Sequence, residues 1–226
     1  MNSKIKVAIL DDHQSIVDGY LYRLDHLSEI EVVATAAFGE ELEPMLKKHA
    51  VDVLILDVEV PNAPNDPNPY PILHVIPNLL QRYPALHVIV ISMHNRHTLI
   101  KAVMEAGASG YILKDDRESI LHLDAVIGTI ANGGIHFSQQ AYQQLKKHHE
   151  DSELTARQLE ALSLCAAYPD ASTAELAKRL AIAHSTLRNL LSAAYTKLDV
   201  RTHAAAIIKA RQLGLITPLE QGLAKE

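Results

Sequence analysis

The first part of the chain alternates between short apolar runs and amphipathic stretches. Runs rich in Val, Ile and Leu fall at about 5–10, 30–35, 52–57, 86–92 and 109–113. Stretches at about 14–27, 39–49, 72–82, 96–106 and 117–132 instead repeat their apolar residues at helical spacing. Five strands alternating with five helices predict βαβ units and a parallel sheet covered on both faces. Little polar alternation occurs within the runs, as in strands buried on both sides. The expected fold of this part is α/β, a doubly wound five-stranded parallel sheet.

Ala131-Asn132-Gly133-Gly134 should stop the fifth helix, because Gly and Asn tolerate the left-handed conformation that ends helices. From Leu154 onward the pattern is purely helical. Segments at about 155–167, 173–181, 184–198 and 202–213 are rich in Ala and Leu, with breaks at Tyr168-Pro169-Asp170 and Ala181-Ile182-Ala183. Thr155 suits an N-cap, with Gln158 at the third helical position able to complete a capping box. The division expected is an α/β domain over 1–134, a linker over 135–151 that is partly helical from Ser138, and a small all-α four-helix domain over 152–226. His148-His149-Glu150-Asp151 reads as solvated linker, because consecutive side chains point in different directions and do not converge on a metal.

One segment breaks the pattern. Pro61 to Pro71 holds five prolines in eleven residues. Such a stretch is neither helix nor central strand, and a stiff loop overhanging the sheet edge is expected. Pro77 should kink the helix that follows or delay its start.

Composition narrows the class. The chain has 226 residues, 48% of them apolar, enough for a core in each of two domains. The single Cys165 excludes an internal disulfide framework, and its apolar surroundings in sequence read as a small buried hydrophobe. No apolar run approaches the roughly 18 residues that span a bilayer, and Met1-Asn2-Ser3-Lys4 leads straight into a strand, so a cytoplasmic protein without membrane contact is expected. The net charge of −6 argues against a protein that coats nucleic acid along its whole surface. The charge is unevenly divided, however. Residues 1–150 carry 12 basic and 19 acidic side chains, a net of −7, whereas 151–226 carry 9 and 8, a net of +1. Between Lys178 and Arg211 lie seven basic residues and one acid, Asp199. Local clustering of this kind attracts a polyanion, although charge alone fits a solvated helix face equally well.

The polar residues at the strand ends carry the chemistry. Asp57 closes Val53-Leu54-Ile55-Leu56, Asp11-Asp12 follow Val7-Ala8-Ile9-Leu10, Ser92 follows Val88-Ile89-Val90-Ile91, and Lys114 follows Tyr111-Ile112-Leu113. In a doubly wound sheet the carboxyl ends of the strands share one edge, where ligands bind. Three carboxylates, a hydroxyl and an ammonium can therefore meet there. A carboxylate attacks a phosphoryl group only if charge on the transferring oxygens is neutralised, and clustered carboxylates form a hard oxygen site suited to Mg²⁺.

With these residues in order, the chain resembles the two-component response regulators of the NarL/FixJ type, a flavodoxin-like phosphoacceptor receiver followed by a LuxR-type helix-turn-helix effector. The resemblance covers nearly the whole sequence. Asp11-Asp12-His13 resembles the acidic pair, Asp57 with Pro61 the phosphoacceptor and its following proline, and Ser92 the hydroxyl position. Ala106-Gly107-Ala108-Ser109-Gly110-Tyr111-Ile112-Leu113-Lys114 is similar to the segment bearing the switch aromatic and the lysine. Leu154-Thr155-Ala156-Arg157-Gln158 resembles the effector opening, Ala174 to Leu180 its scaffold helix, Ser185 to Leu191 its recognition helix, and Lys197 to Thr202 the turn into the last helix.

The resemblance implies that Asp57 is the nucleophile, forming an acyl phosphate with a sensor histidine kinase or a small phosphodonor. It implies Mg²⁺ held by Asp12, Asp57 and the backbone carbonyl of Glu59, with Asp11 acting mainly through water. Lys114 would supply a second cation, Ser92 a hydrogen bond to a phosphoryl oxygen, and Tyr111 a switch that turns inward. Tyr111 as an ordinary half-buried strand aromatic is the other reading. In the effector, His184, Ser185, Arg188, Asn189 and Ser192 would face the major groove, with Lys178, Lys197 and Arg201 on phosphates. Arg188 can bond phosphate or pair bidentately with guanine. The implied partners are DNA carrying a pseudo-palindromic site and a second copy of the chain in the active state.

The function expected is that of a DNA-binding transcriptional response regulator controlled at Asp57, not an enzyme, since no second acid or base catalyst is evident. Several positions depart from the family. About seven residues are added in the proline-rich segment. Ala183 stands where a capping Ser is usual, so Ser185 would cap if the helix starts later. Leu190 replaces a frequent His, and Ala193 leaves a polar position empty. These departures favour weaker or more dimer-dependent DNA binding, and leave a second reading open: a regulator with a weakened helix-turn-helix that acts through protein contacts.

Overall fold

The computed structural model of the chain describes residues 4–146 and 154–216; the histidine pair at 148–149 lies outside them. A six-stranded parallel sheet forms the centre of the first part. It is built from β1 (Ile5–Leu10), β2 (Ile30–Ala36), β3 (Val53–Leu56), β6 (His87–Ser92), β7 (Gly110–Leu113) and β8 (His136–Phe137), in the order β2-β1-β3-β6-β7-β8. The expectation of five strands is corrected by β8. After the left-handed turn at Gly133 (φ 80°), His136 and Phe137 pair with Gly110 and Tyr111. Two residues are too short a run for hydrophobic periodicity to reveal.

Pleating sends successive side chains to opposite faces. Leu54 and Leu56 enter one core with Ala8, Leu10, Val88 and Val90, while Val53 and Ile55 enter the other with Val7, Ile9, Ile89 and Ile91. The second face is covered by α1 (Gln14–Leu24) and by a helix that breaks at His122 (φ −108°, ψ 33°) into α5 (Arg117–Leu121) and α6 (Leu123–Ala131). The first face receives α2 (Gly39–Lys48), α3 (Ile72–Arg82) and α4 (His97–Glu105). Pro77 does not interrupt α3, which begins at Ile72 and runs through it.

The proline-rich segment is a hairpin, not a loop. β4 (Pro61–Ala63) and β5 (Asp66–Pro69) pair antiparallel, apart from the main sheet. Proline is tolerated there because a two-stranded ribbon has only edges, on which a missing N–H costs no ladder bond. The side chain of Asp66 holds the turn, accepting from Asn68 N at 3.1 Å, Asn68 Nδ2 at 2.7 Å and Asn62 Nδ2 at 3.1 Å. The hairpin packs on α2 and on a helix of the second part.

That second part consists of α8 (Ala156–Ala167), α9 (Thr173–Arg179), α10 (His184–Lys197) and α11 (His203–Gln212), reached through α7 (Gln139–Lys146), which lies on α4, β7 and β8. Thr155 caps α8 through the box with Gln158, and Ser172 caps α9 through one with Glu175. Ala183 is the N-cap of α10 without a side-chain bond, so Ser185 lies inside the helix and does not cap it. The central helix is α8. Every residue from Gln158 to Ala167 is buried, with α10 and α11 on one side and α3 and α4 on the other. Burying Leu159, Leu162 and Leu164, each 0% exposed, contributes about 1.5–3 kcal/mol apiece. The apolar core is thus continuous from the sheet into the helical part.

Candidate functional site

The strand order reverses direction at β1, which has β2 on one side and β3 on the other. The crevice at such a switch point opens at the carboxyl ends of the strands, where Asp11 and Asp12 follow β1 and Asp57 follows β3. The Asp57 N–H donates to Leu10 O at 2.9 Å and the Asp11 N–H to Ala36 O at 3.1 Å. These bonds carry the sheet register one residue beyond each strand and fix where the carboxylates leave the backbone.

Asp57 is 1% exposed. Its Oδ1 accepts from the Val58 N–H at 2.6 Å and its Oδ2 from Lys114 Nζ at 2.7 Å. The same ammonium lies 2.9 Å from Asp11 Oδ2. Burial pushes the Asp57 carboxyl up to about 6; Lys114 pulls it down, and repulsion from Asp11 adds to the rise. Burial would depress Lys114, but Asp57 and Asp11 outweigh it and hold the ammonium above its ordinary value. Asp12 is likewise raised by burial, against the pull of His13.

Asp11, Asp12, His13 and Asp57 present donor atoms within 4.8 Å of one another. Three carboxylates facing one ammonium leave a formal excess of two negative charges when all are ionised. A hard divalent cation fits such a donor set. His13, whose Nδ1 is 2.9 Å from Asp12 Oδ1, is a member the sequence reasoning did not count, although it directly follows the acidic pair.

Ser92 is 0% exposed at the end of β6. Its carbonyl accepts from the Lys114 N–H at 2.9 Å and its Oγ from the His94 N–H at 3.1 Å. Tyr111 is also 0% exposed, and its hydroxyl donates to His94 O at 2.7 Å. The ring is therefore already turned inward. His94 Nε2 lies 3.1 Å from Glu59 Oε1, and the closeness of the imidazole holds the Glu59 carboxyl below its ordinary value. His94 is thus a second residue that sequence reasoning missed, since its place depends on loop geometry.

The eight effector positions singled out above divide by location. His184, Ser185, Arg188, Asn189 and Ser192 lie on the exposed side of α10, opposite the buried Leu187, Leu191 and Ala194. Lys178, at the end of α9, and Arg201, before α11, are exposed as well. Lys197 lines a cleft of about 280 Å³ with Arg96, Thr98 and Gln144, which places it beside the sheet domain. The turn between α9 and α10 holds Ala181 at φ 52°.

The sequence profile described as the response regulator receiver domain matches residues 7–124. Over nearly full length, the chain is 26% identical to the transcriptional regulatory protein DegU of Brevibacillus brevis, covering 95% of this chain and 96% of that one. It is 27% identical to the transcriptional regulatory protein DesR of Bacillus subtilis, over 93% and 98%. A solved structure of the RcsB response regulator of Salmonella typhimurium superposes with a TM-score of 0.63 at 23% identity, covering 91% of this chain and 96% of that chain; this is a likeness of fold. The profile match spans more than half of the chain, which therefore belongs to the response regulator receiver-domain family and is a response regulator of the NarL/FixJ type.

Proposed function

We propose that the protein is a DNA-binding transcriptional response regulator switched by phosphorylation of Asp57. The observation that carries this reading is the buried Asp57 carboxylate shared between the Val58 N–H and Lys114, beside Asp11 and Asp12. An Asp57 oxygen attacks the phosphorus of a histidine kinase phosphohistidine or of a small phosphodonor. A P–O bond forms to Asp57, and the donor's P–N or P–O bond breaks with its electron pair leaving on the donor. Lys114 and Ser92 provide donors for the phosphoryl oxygens. Mg²⁺, held by Asp12, Asp57 and the Glu59 carbonyl with Asp11 acting through water, would neutralise charge on the transferring group. The protein turns over no external substrate in this reading.

We assign 1–134 to the receiver, 135–151 to the linker and 152–226 to the effector. In the effector, Arg188 with His184, Ser185, Asn189 and Ser192 reads the major groove, while Lys178, Lys197 and Arg201 meet phosphates. Relatives named as transcriptional regulators align along the effector as well as the receiver, and RcsB has been solved bound to promoter DNA with the phosphomimetic BeF3−. The active form would be a dimer on a pseudo-palindromic site with half-sites about 34 Å apart. Among the described residues no helix is long and apolar enough to cross a membrane, which suits the cytoplasmic location this function requires.

Selection from random duplex DNA tests the reading, using purified protein with Mg²⁺, with and without BeF3−. A two-fold site enriched more strongly with the mimic, and lost in Arg188→Ala, is the expected result. No enrichment in either state by a folded protein would overturn it.

A further inference from the structure

The hairpin β4–β5 begins four residues after Asp57 and ends against the effector. The Asn62 side-chain amide, besides bonding Asp66, donates to the carbonyl oxygen of Ala167 at 3.1 Å. Ala167 is the last residue of α8 and 1% exposed. Carbonyls in the last turn of a helix have no partner inside the helix. The nearest one, Leu164 O, is taken by the Tyr168 N–H; the Ala167 carbonyl is taken by the receiver. A buried carbonyl left without a donor is costly, so this bond ties the stability of α8's end to the position of the hairpin.

The same side of α8 meets the receiver along its length. Glu160, seven residues or two turns before Ala167, lies 3.3 Å from His74 of α3. It shares with Arg157, His74 and Leu73 a cleft of about 440 Å³ between α3, α4 and the α8–α9 region. At the hairpin's base, the Tyr70 N–H donates to Val60 O at 2.8 Å, and the Tyr70 ring lies against Gly39 at the start of α2 so closely that a Cβ there would clash with it. The base of the hairpin is also fixed, because Val58 and Val60 are 1% and 0% exposed. Four residues, two of them (Val58 and Val60) buried, therefore separate the phosphoacceptor from the side chain that caps α8.

We propose that the inserted hairpin is a docking surface for the effector's first helix, and that Asn62 is the residue through which the state of Asp57 is felt at α8. This rests on the phosphoacceptor reading of Asp57. Both Asp57 oxygens are engaged in the unmodified protein, one by the Val58 N–H and one by Lys114. Forming the P–O bond alters at least one of these contacts. A change at Val58 is passed to Pro61 and Asn62 with little slack. Because coupling between two sites is reciprocal, undocking α8 changes the affinity of the Asp57 pocket for a phosphoryl mimic by the same factor that the mimic changes docking.

Amide hydrogen exchange on the full-length protein in Mg²⁺ tests this, comparing wild type, Asn62→Ala and Asn62→Asp with and without BeF3−. Asn62→Asp keeps the side chain's size and removes the donor, and exchange in β3 and β6 reports whether each variant remains folded. Loss of the bond to Ala167 O predicts roughly two- to tenfold faster exchange at residues 164–171 in both variants without BeF3−, while loss of the Asp66 bond, and in Asn62→Asp repulsion between the two carboxylates, is felt at the hairpin turn. BeF3− should produce a similar rise in wild type and add little in the variants. Unchanged exchange at 164–171 in variants with protected β3 and β6 would overturn the proposal, as would effects of BeF3− and substitution that simply add. Exchange at 57–60 separates the two readings. If BeF3− leaves 57–60 unchanged, the phosphoacceptor assignment fails and the coupling with it; if it alters 57–60 but not 164–171, only the coupling fails.

Discussion

Replacing Asp57 by Asn should stabilise the unphosphorylated, metal-free protein at neutral pH and leave it unchanged in acid. Burial raises the Asp57 carboxyl from 3.8 to about 6, with repulsion from Asp11 adding to the rise and Lys114 opposing it. About two pKa units at 1.36 kcal/mol each correspond to about 3 kcal/mol of cost in holding the charge folded. Between about pH 4 and pH 6 the folded chain keeps a proton that the unfolded chain has released. Stability from this group therefore falls as pH rises through that window, is fully reduced above about 6, and is unaffected below about 4. Asn keeps an oxygen facing the Val58 N–H, and Lys114 keeps Asp11 at 2.9 Å. Because that net rise already contains the Lys114 attraction, the variant should gain about 3 kcal/mol at pH 7.5, or about 6–12 °C in Tm for a chain of this size. Urea denaturation in EDTA from pH 4 to 8 measures it. Added Mg²⁺ should narrow the gap, since a ligand stabilises the form that binds it. A variant less stable than wild type at pH 7.5, or a difference independent of pH, would refute the reasoning.

Other substitutions test the remaining elements. Ala183→Ser supplies the side-chain acceptor that the N-cap of α10 lacks and should raise the urea midpoint by the equivalent of about 1 kcal/mol; an unchanged midpoint would show that α10's first amides are satisfied by other means. Ala181→Gly relieves a non-glycine residue at φ 52° and should stabilise by about 1 kcal/mol, read in the same titration. Gly39→Ala drives a methyl into the Tyr70 ring and should destabilise by about 1–3 kcal/mol, with Tyr70→Ala in the same chain recovering part of the loss. Arg188→Ala, on an exposed helix face, should leave Tm unchanged while weakening binding to a selected DNA site by about 1–3 kcal/mol, roughly 5- to 150-fold; equal affinity would remove Arg188 from the interface.

Legibility in the sequence followed the length over which each signal repeats. The strands β1, β3, β6 and β7 were readable because four or more consecutive apolar residues are buried on both faces, and the helices because their stripes persist for two turns or more. Asp57, Asp11, Asp12, Ser92 and Lys114 were readable because a parallel sheet gathers its strand ends, so position in the pattern predicts position in space. β8 escaped notice because two residues show no period. The hairpin escaped because proline counts against a strand in general, whereas an isolated ribbon exposes both edges and its turn is held by Asp66. His94 and Asn62 act through contacts at sequence separations of 35 and 105 residues, to Glu59 and Ala167, and local sequence carries no trace of either.

The docking of α8 bears on how a receiver can restrain an effector of this kind. The helix that closes the effector core also covers α3 and α4, so the two parts share one apolar core. Separating them exposes surface that each part otherwise hides. Yet α10 buries only Leu187, Leu191 and Ala194 and leaves Arg188, Asn189 and Ser192 in solvent. Masking of these side chains is therefore not what docking does in this arrangement. Two routes remain on physical grounds. The docked receiver brings the more acidic part of the chain close to the basic stretch around α10, a repulsion toward DNA that salt screens over about 8 Å at physiological ionic strength. It also fixes where the second copy's effector can stand, and hence whether two recognition helices reach grooves one turn apart. Charge predicts restraint that fades with added salt, and geometry predicts restraint that does not, so salt titration of wild type against Asn62→Ala separates them.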